Sequence, residues 1–179
     1  MQNIQLVKGL STIVAIGMLT GCATTARIIS GGTAMKGFVQ NIESIAVKNT
    51  DFRRVLYTAS NCQLVVMALK PKEELGAEVH KSDQFFRVEE GTGEVVLDGV
   101  RTSISAGYAL LIPGGMNHNI INTGSVPLKL YTLYAPPNHR DGVVHHTRDD
   151  AEADNEHFDG KTTELRSEKQ NLRSFPEEI

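Results

Sequence analysis

Apolar, β-branched and aromatic residues fall into short runs in the middle of the chain, between residues 54 and 136. The runs are "RVLYTA", "QLVVMALK", "FFRVEE", "EVVLDG", "ALLIP", "HNIIN" and "LKLYTLYA". Turn signals rich in Gly, Pro and Asn separate them, and none shows the apolar period of an amphipathic helix. Asp98-Gly99 suits the positive-φ positions of a tight type I′ hairpin. The pattern predicts an all-β antiparallel sandwich or barrel, with short helices at its periphery.

The N-terminal residues have a different pattern. One cation, Lys8, precedes an apolar run over residues 10–19, which leads into "LTGC" at residues 19–22. The run is shorter than the ~20 apolar residues of a membrane-spanning helix and has the length of a signal-peptide core. Its end resembles the lipobox of bacterial lipoproteins. The resemblance implies a lipid on Cys22 and a location in the cell envelope, with the lipid anchor as the only contact with the membrane.

A second interpretation of the N-terminus stays open. The sequence "MKGFVQNIESI" from Met35 looks like a natural protein start, which would make the protein cytoplasmic and the prefix an upstream extension. With Cys22 lipidated or absent, Cys62 has no partner for an intramolecular disulfide. The cysteine content therefore does not decide the compartment.

Composition divides the chain into four segments. They are a signal peptide or extension over 1–22, a tether over 23–37, the barrel over 38–140 and a polar tail over 141–179. From Arg140 onward there are eleven Asp and Glu residues against six Lys and Arg residues. A local acidic excess of this kind is typical of a solvated flank, and we expect the tail to be one.

The charge of the whole chain bears on its partners. The 18 Lys and Arg residues and 21 Asp and Glu residues give a formal net charge of −3. Nucleic-acid binding usually needs a concentrated basic patch, so electrostatics offers no case for it. We expect a small-molecule substrate as the partner, with a homodimer as one option for assembly.

Residues 78–86 read "EVHKSDQFF" and place polar side chains at an even spacing. Because strand side chains alternate between faces, Glu78, His80, Gln84 and Phe86 would point the same way. Three strong donor groups on the face that Phe86 should bury indicate either a solvent-exposed face or a core interrupted by a site.

The stretch "GYALLIPGGMNHNIIN" carries a second pattern. Its fixed positions are Gly107, Pro113, Gly115, His118 and Asn122. This spacing resembles the second motif of the cupin superfamily at every fixed position. The resemblance implies a small jelly-roll barrel, in which a strand reverses at the Pro-Gly-Gly turn and His118 points inward from the next strand.

Residues 78–91 resemble the first cupin motif, which reads His-x-His, three or four residues, Glu, six residues, Gly. Glu78 stands at the first His, His80 matches the second, Gln84 replaces the Glu, and Gly91 is in register. By position, the resemblance implies that Glu78, His80, Gln84 and His118 bind one divalent metal. Both substituted side chains still offer an oxygen ligand.

The donor types agree with this implied site. Two nitrogen and two oxygen donors without a thiolate suit Mn²⁺, Fe²⁺, Co²⁺, Ni²⁺ or Zn²⁺. Four protein ligands on an octahedral ion would leave two positions open for substrate. One carboxylate against a dication leaves a net charge of about +1, which favours an anionic or enolising substrate oxygen.

Further side chains are candidates for the pocket around this site. They are Tyr57, Phe86, Tyr134 and His139. Core packing is the alternative for the aromatic residues, because strand parity does not let all of them face inward. His139, in "YAPPNHRDG" after the last core strand, is either an acid/base at the barrel mouth or part of a surface loop.

The resemblance extends over roughly residues 35–165, to small bacterial single-domain cupins of the kind labelled as related to mannose-6-phosphate isomerase. It leaves three functions open. The first is a metal-dependent isomerase-like enzyme for a sugar or keto acid, with Glu78 or a residue at the barrel mouth moving a proton. The second is an Fe-dependent dioxygenase. The third is a non-catalytic binder of a metal or small ligand at the cell envelope, since one fold hosts many functions.

Overall fold

Two antiparallel β-sheets form the scaffold of the protein. The computed structural model describes residues 35–164. The strands are β1 (Arg53–Thr58), β2 (Gln63–Leu69), β3 (Asp83–Glu90), β4 (Thr92–Leu97), β5 (Val100–Ser105), β6 (Ala109–Ile112), β7 (His118–Asn122), β8 (Leu128–Ala135) and β9 (Val144–His145). The helices are α1 (Ile42–Lys48) and α2 (Arg148–Ala153).

The core lies between the two sheets. One sheet has the order β6-β3-β8-β2-β1-β9 and the other the order β5-β4-β7. Met67 and Phe86 of the first sheet share one buried apolar cluster with Val95 and Ile120 of the second. Strand alternation supplies this cluster, since each strand turns every second side chain inward. The prediction of an all-β antiparallel barrel with short peripheral helices is confirmed.

Several sequence predictions fall on residues outside this description. The signal peptide with Cys22, most of the tether and the end of the tail beyond residue 164 lie outside the described residues and stay predictions. Within residues 35–164, neither helix is long and apolar enough to cross a membrane.

The hairpin between β4 and β5 has the expected type I′ character. Asp98 and Gly99 both have positive φ, at 45° and 86°. The Asp98 carboxylate also accepts a hydrogen bond of 3.1 Å from the backbone N–H of Asn117. The hairpin therefore holds the chain at the start of β7, which carries His118.

Alternation suggested that residues 78–86 form a single strand, but they do not. Glu78 forms an isolated antiparallel bridge with His118 of the smaller sheet. β3 begins only at Asp83, and Gln84 pairs with Tyr134 of the larger sheet. The segment thus crosses from one sheet to the other, and the common orientation of its polar side chains comes from barrel closure.

The turn between β6 and β7 explains why this segment bends. The N–H of Gly115 donates to the His80 carbonyl at 2.7 Å, and the N–H of Gly114 donates to the Asp83 carboxylate at 2.9 Å. A Cβ at Gly114 would lie 2.5 Å from the Lys81 carbonyl oxygen. Only a residue without a side chain lets the two segments approach this closely.

Residue 140 does not mark the end of the folded chain, in contrast to the expectation from composition. β9 pairs with the outer edge of β1. Beyond it, Glu156 and Thr162 are buried although the segment is polar. Composition suggested a solvated tail because its acidic residues are numerous, but Glu156 is taken up by hydrogen bonds inside the fold.

We expect Gly114→Ala to lower the free energy of unfolding by ~1–3 kcal/mol, because its methyl group would overlap the Lys81 carbonyl and displace one of the two segments. Chemical denaturation measures the change. Ser103→Ala, on the exposed face of β5, is the control and should change stability by no more than ~0.5 kcal/mol. Equal stability of the two variants would contradict the close approach.

Candidate metal centre

The two motif segments meet through their backbones. The N–H of Glu78 donates to the carbonyl of His118 at 2.9 Å, and the N–H of His118 donates to the carbonyl of Glu78 at 3.0 Å. Residues that exchange both hydrogen bonds in an antiparallel pair present their side chains on the same face. The Glu78 carboxylate and the His118 imidazole therefore lie side by side.

His80 completes a cluster of three metal-binding side chains. One potential ligand atom from each of Glu78, His80 and His118 lies within 4.8 Å of the other two. The His80 Nε2 atom is 3.0 Å from the Glu78 Oε2 atom. Two ligands at right angles on an ion at ~2.1 Å would be ~3 Å apart, so this spacing fits neighbouring positions on one metal.

The His118 ring has its orientation fixed and one nitrogen unused. Its Nδ1 atom is 3.0 Å from the Met116 carbonyl, which can only accept, so Nδ1 carries the proton. Nε2 then bears the lone pair, and it is buried without a hydrogen-bond partner. A backbone carbonyl that fixes the tautomer is the usual outer partner of a metal-binding histidine.

Gln84 is a second buried side chain without ordinary partners. Its side chain points to the interior, and neither its Oε1 nor its Nε2 atom has a hydrogen bond of normal geometry. It lies beside Tyr134, its cross-strand neighbour, where burial keeps the pKa of the tyrosine hydroxyl raised although the Gln84 amide acts to lower it. Its carbonyl oxygen is the candidate fourth ligand of the metal, and this role stays a prediction.

Glu78 is held in its charged form. Burial acts to raise the pKa of Glu78, but the hydrogen bond to His80 and the charge of Arg53 outweigh it. The pKa of Glu78 therefore lies below its ordinary value. Arg53 Nη2 is 3.6 Å from Glu78 Oε1, so the carboxylate lies between an imidazole and a guanidinium. An ionised carboxylate beside two imidazoles is a donor set that fits a divalent metal.

A cavity of about 700 Å³ opens next to this cluster. Glu78 and His80 form part of its wall, and Arg53, His139 and Glu156 form another part. Two of the three metal-binding side chains of the cluster thus border a space large enough for a small ligand. His139, a pocket candidate from the sequence, lies in the wall of this cavity.

The other pocket candidates lie elsewhere. Phe86 is fully buried in the apolar core between the sheets. Tyr57 contacts the Phe38 ring, and its hydroxyl donates to Glu164 at 3.0 Å. The structure therefore assigns both to packing. Tyr134 belongs to the core as well, but its ring lies edge-on to the rings of His80 and His139.

A buried histidine–carboxylate pair lies on the other side of Tyr134. His139 Nδ1 is 2.6 Å from Glu156 Oε1, and His139 Nε2 is 3.3 Å from the Tyr134 hydroxyl. Glu156 Oε2 accepts from the N–H of Arg140 at 2.6 Å. The carboxylate can only accept, so Nδ1 donates to it and Nε2 accepts from the tyrosine hydroxyl.

The charge states of this group follow from burial and contact. Burial lowers the pKa of His139, against the opposing hydrogen bond to Glu156. Burial acts to raise the pKa of Glu156, but the hydrogen bonds from His139 and from the Arg140 N–H and the nearby positive charge together lower that pKa. Burial raises the pKa of Tyr134. At neutral pH the group is therefore an ionised carboxylate, a neutral imidazole and a protonated phenol.

Two residues of the cavity wall, and a third that holds His139 in place, were not predicted from the sequence. Arg53 faces inward from β1, as Val55 does, and alternation along "RRVLYT" was the signal that could have found it. Glu156 had no local signal, because it reaches the site only when the chain returns after β9. Gln63 is buried and holds His139 by accepting from its N–H at 2.9 Å and donating to its carbonyl at 2.7 Å.

Comparison with known proteins identifies the family. A family model of the cupin domain matches residues 65–134. The chain is 42% identical over 125 residues to the uncharacterized protein YrkC of Bacillus subtilis strain 168, and the match covers 66% of this chain and 67% of YrkC. It is 39% identical over 113 residues to the uncharacterized protein L612 of Acanthamoeba polyphaga mimivirus, which covers 60% of this chain and 70% of L612.

A solved structure agrees with these relatives. The crystal structure of BH2720 from Bacillus halodurans matches with a TM-score of 0.65 and 44% identity, covering 65% of this chain and 94% of that one. The domain match runs from β2 to β8 and includes Glu78, His80 and His118, so the whole cluster lies within the shared domain. The chain belongs to the cupin family.

Proposed function

We propose that this cupin is a metal-dependent enzyme that acts on a small oxygenated substrate, a sugar or a keto acid, in an isomerase-like reaction. Glu78, His80 and His118 would hold one divalent transition metal, with Gln84 as a fourth ligand. The observation that carries the proposal is the buried Nε2 of His118, in a ring of fixed tautomer, which has no hydrogen-bond partner among residues 35–164. A ligand-ready nitrogen of this kind beside a carboxylate and a second imidazole is costly unless a cation uses it.

When bound, the metal would supply Lewis-acid polarisation of a substrate carbonyl or enediol oxygen. The protein must then move a proton, and Glu78 and His139 are the two candidates for this task. Glu78 has a lowered pKa and contacts both His80 and Arg53, which makes it a better ligand than a base. His139 is neutral, buried and oriented by Glu156, with Nε2 directed at the Tyr134 hydroxyl.

His139 therefore replaces Glu78 as our candidate for proton transfer. A neutral imidazole whose Nδ1–H is held by a carboxylate can accept a proton at Nε2, and the carboxylate stabilises the imidazolium that forms. The Tyr134 hydroxyl, which contacts Nε2, can carry a proton between His139 and the side of the cavity that holds His80. This assignment supports an isomerase-like reaction, because such a reaction needs one group to remove and return a proton.

A second candidate function rests on the composition of the cluster. Two histidines and one carboxylate are the ligand set of non-haem iron oxygenases, and Glu78, His80 and His118 supply that set. The iron-dependent dioxygenase thus remains an alternative, and it differs from the first function in its need for O₂.

We expect the purified protein to bind one equivalent of Mn²⁺, Fe²⁺, Co²⁺, Ni²⁺ or Zn²⁺ and to gain ~2.7 kcal/mol of stability at a hundredfold excess over Kd. His118→Leu and Gln84→Leu should weaken or abolish this gain. The metal-free Gln84→Leu protein should be as stable as the wild type or more stable, because the substitution removes an unpartnered buried amide. His118→Leu also loses the hydrogen bond from Nδ1 to the Met116 carbonyl, so it tests metal binding alone. Metal analysis and thermal unfolding measure both quantities.

The matched control for these variants is His146→Ala, an exposed histidine that contacts Asp51. It should keep full metal binding. If the metal-free Gln84→Leu protein loses ~1–3 kcal/mol, its side chain has structural partners and its role as a fourth ligand is contradicted. If His118→Leu keeps the full metal-dependent gain in stability, the metal centre is contradicted. A wild-type protein that none of the five ions stabilises would contradict it as well and would leave a non-catalytic ligand binder.

We expect the His139 imidazole to titrate below its ordinary value of 6.5, because burial disfavours its charged form. The charged or titratable groups that influence it are Glu156, Arg53 and Glu78. Glu156→Gln should lower the pKa of His139 further, since the carboxylate favours the imidazolium. In an active enzyme the low-pH limb of kcat/KM should move in the same direction.

Nuclear magnetic resonance of the histidine rings measures this titration without a substrate. Glu152→Gln, which removes an exposed carboxylate of α2 that pairs with Arg148, is the control and should leave the His139 titration unchanged. A His139 pKa that stays the same in Glu156→Gln would argue against the pair as a functional unit.

We expect substrate turnover to continue without O₂. A panel of sugars, sugar phosphates and keto acids, assayed with metal-loaded protein under anaerobic and aerobic conditions, separates the two functions. Equal rates support the isomerase-like reaction. Turnover only in air, with consumption of O₂ by the Fe²⁺ form, would replace it with the dioxygenase.

A further inference from the structure

We propose that the cavity takes a small carboxylate and that Arg53 is its anchor. This inference rests on the proposed function for the metal that it assumes, and it narrows the substrate from a sugar or keto acid to a molecule with a carboxylate group. The carboxylate would contact the guanidinium, while a neighbouring oxygen of the same molecule faces the side of the cavity that carries Glu78 and His80.

Arg53 is a buried cation with unused donors. Its side chain is 9% exposed, and its Nε atom is buried without a hydrogen-bond partner. Among the described residues, Glu78 is the one carboxylate within ion-pair distance of it, and the 3.6 Å between Nη2 and Oε1 exceeds a good hydrogen bond. A buried guanidinium with so little compensation is destabilising, so a ligand that pairs with it has a strong electrostatic advantage.

The position of Arg53 directs it to a ligand. In the sheet register it lies between Met67 of β2 and His145 of β9, on the inward face of the strand. Its side chain forms part of the wall of the cavity, together with those of Glu78 and His139. The next residue, Arg54, points outward and pairs with Asp51. Neighbouring arginines therefore have opposite surroundings, one satisfied at the surface and one unsatisfied beside the cavity.

Charge in the cavity wall favours a monoanion once a metal is present. The charged side chains in the wall are Arg53, Lys81, Glu78, Asp154 and Glu156. Their formal charges give −1, and a bound dication would change this to +1. The dication would also engage Glu78, the carboxylate that now faces Arg53. The metal-loaded cavity would then hold a guanidinium whose partner carboxylate must come from the ligand.

The geometry of the guanidinium selects the class of anion. Arginine binds a planar carboxylate through two parallel N–H donors, and Arg53 is the arginine in the cavity wall. A neutral sugar hydroxyl cannot compensate the charge. A 2-hydroxy or 2-keto carboxylate can place its carboxylate on Arg53 and its second oxygen toward the metal-binding side chains.

Binding of lactate and its neutral analogue lactamide tests the anchor. Isothermal titration calorimetry of the metal-loaded wild-type protein should show that lactate binds at least tenfold more tightly than lactamide. Arg53→Met should weaken lactate binding about 10- to 100-fold, the range for loss of charge-assisted hydrogen bonds, and should not change lactamide binding. Arg53→Lys should recover part of the lactate affinity, since it keeps the charge and loses the planar fork.

Arg54→Met is the matched control and should bind lactate as the wild type does. The metal affinity of Arg53→Met should be equal to or higher than that of the wild type, because Arg53 and the metal compete for Glu78. Thermal unfolding of the metal-free variant should stay close to that of the wild type, because the Glu78 carboxylate keeps His80 as a partner at 3.0 Å. These two readouts show that a loss of lactate binding does not come from a damaged fold or metal centre.

Three results would overturn the proposal. One is equal lactate affinity in Arg53→Met and wild type, and another is equal affinity of the wild type for lactate and lactamide. The third is Arg53-dependent binding of inorganic phosphate tighter than that of lactate, which would make the site a phosphate site. If the wild type binds no metal, the proposed metal function fails and the same titrations are made on metal-free protein. An Arg53-dependent preference for lactate over lactamide would then still support the anchor. No such preference would overturn the anchor as well.

Discussion

The reciprocal pair of backbone hydrogen bonds between Glu78 and His118 is the constraint on which the site depends. These bonds, at 2.9 and 3.0 Å, join two segments that lie forty residues apart in sequence. They place a carboxylate and an imidazole on one face irrespective of side-chain packing, because strand pairing fixes the direction of both Cβ atoms. The hydrogen bond from Gly115 to the His80 carbonyl then fixes the second imidazole relative to the first. The donor set is therefore assembled by the same bonds that close the barrel.

Two buried glutamines of the barrel differ in whether hydrogen bonds within the protein account for their burial. Gln63 and Gln84 are both almost completely buried. Gln63 uses its carbonyl and its amide in hydrogen bonds to Thr58 and to the backbone of His139. Gln84 uses neither in a bond of normal geometry. A buried amide without partners lowers the stability of the fold, so burial alone does not explain Gln84, whereas burial and bonding together explain Gln63.

The sequence was sufficient for the strands and for the cluster, because both are encoded locally. Alternation defines the strands, the Asp98-Gly99 turn defines the β4–β5 hairpin, and the motif spacing places His80 and His118. The sequence was not sufficient where residues come together only because the barrel closes. The bend before Asp83 depends on the close approach of Gly114 to Lys81, and the burial of Glu156 depends on the return of the chain after β9. Neither contact leaves a periodic signal in the sequence.

The departure of the first motif from its usual pattern now has a physical interpretation. In the motif, the carboxylate would stand at position 84, where the side chain is completely buried, and a histidine at 78. Here the carboxylate is at 78, with a side chain that is 21% exposed and lies 3.6 Å from Arg53. The exchange moves the negative charge of the ligand set from the interior to the edge of the cavity. A buried arginine could not be retained beside a neutral histidine without a large electrostatic cost. Glu78 and Arg53 are thus coupled: the carboxylate makes the arginine tolerable in the empty protein, and a cation that engages the carboxylate makes the arginine available to a ligand.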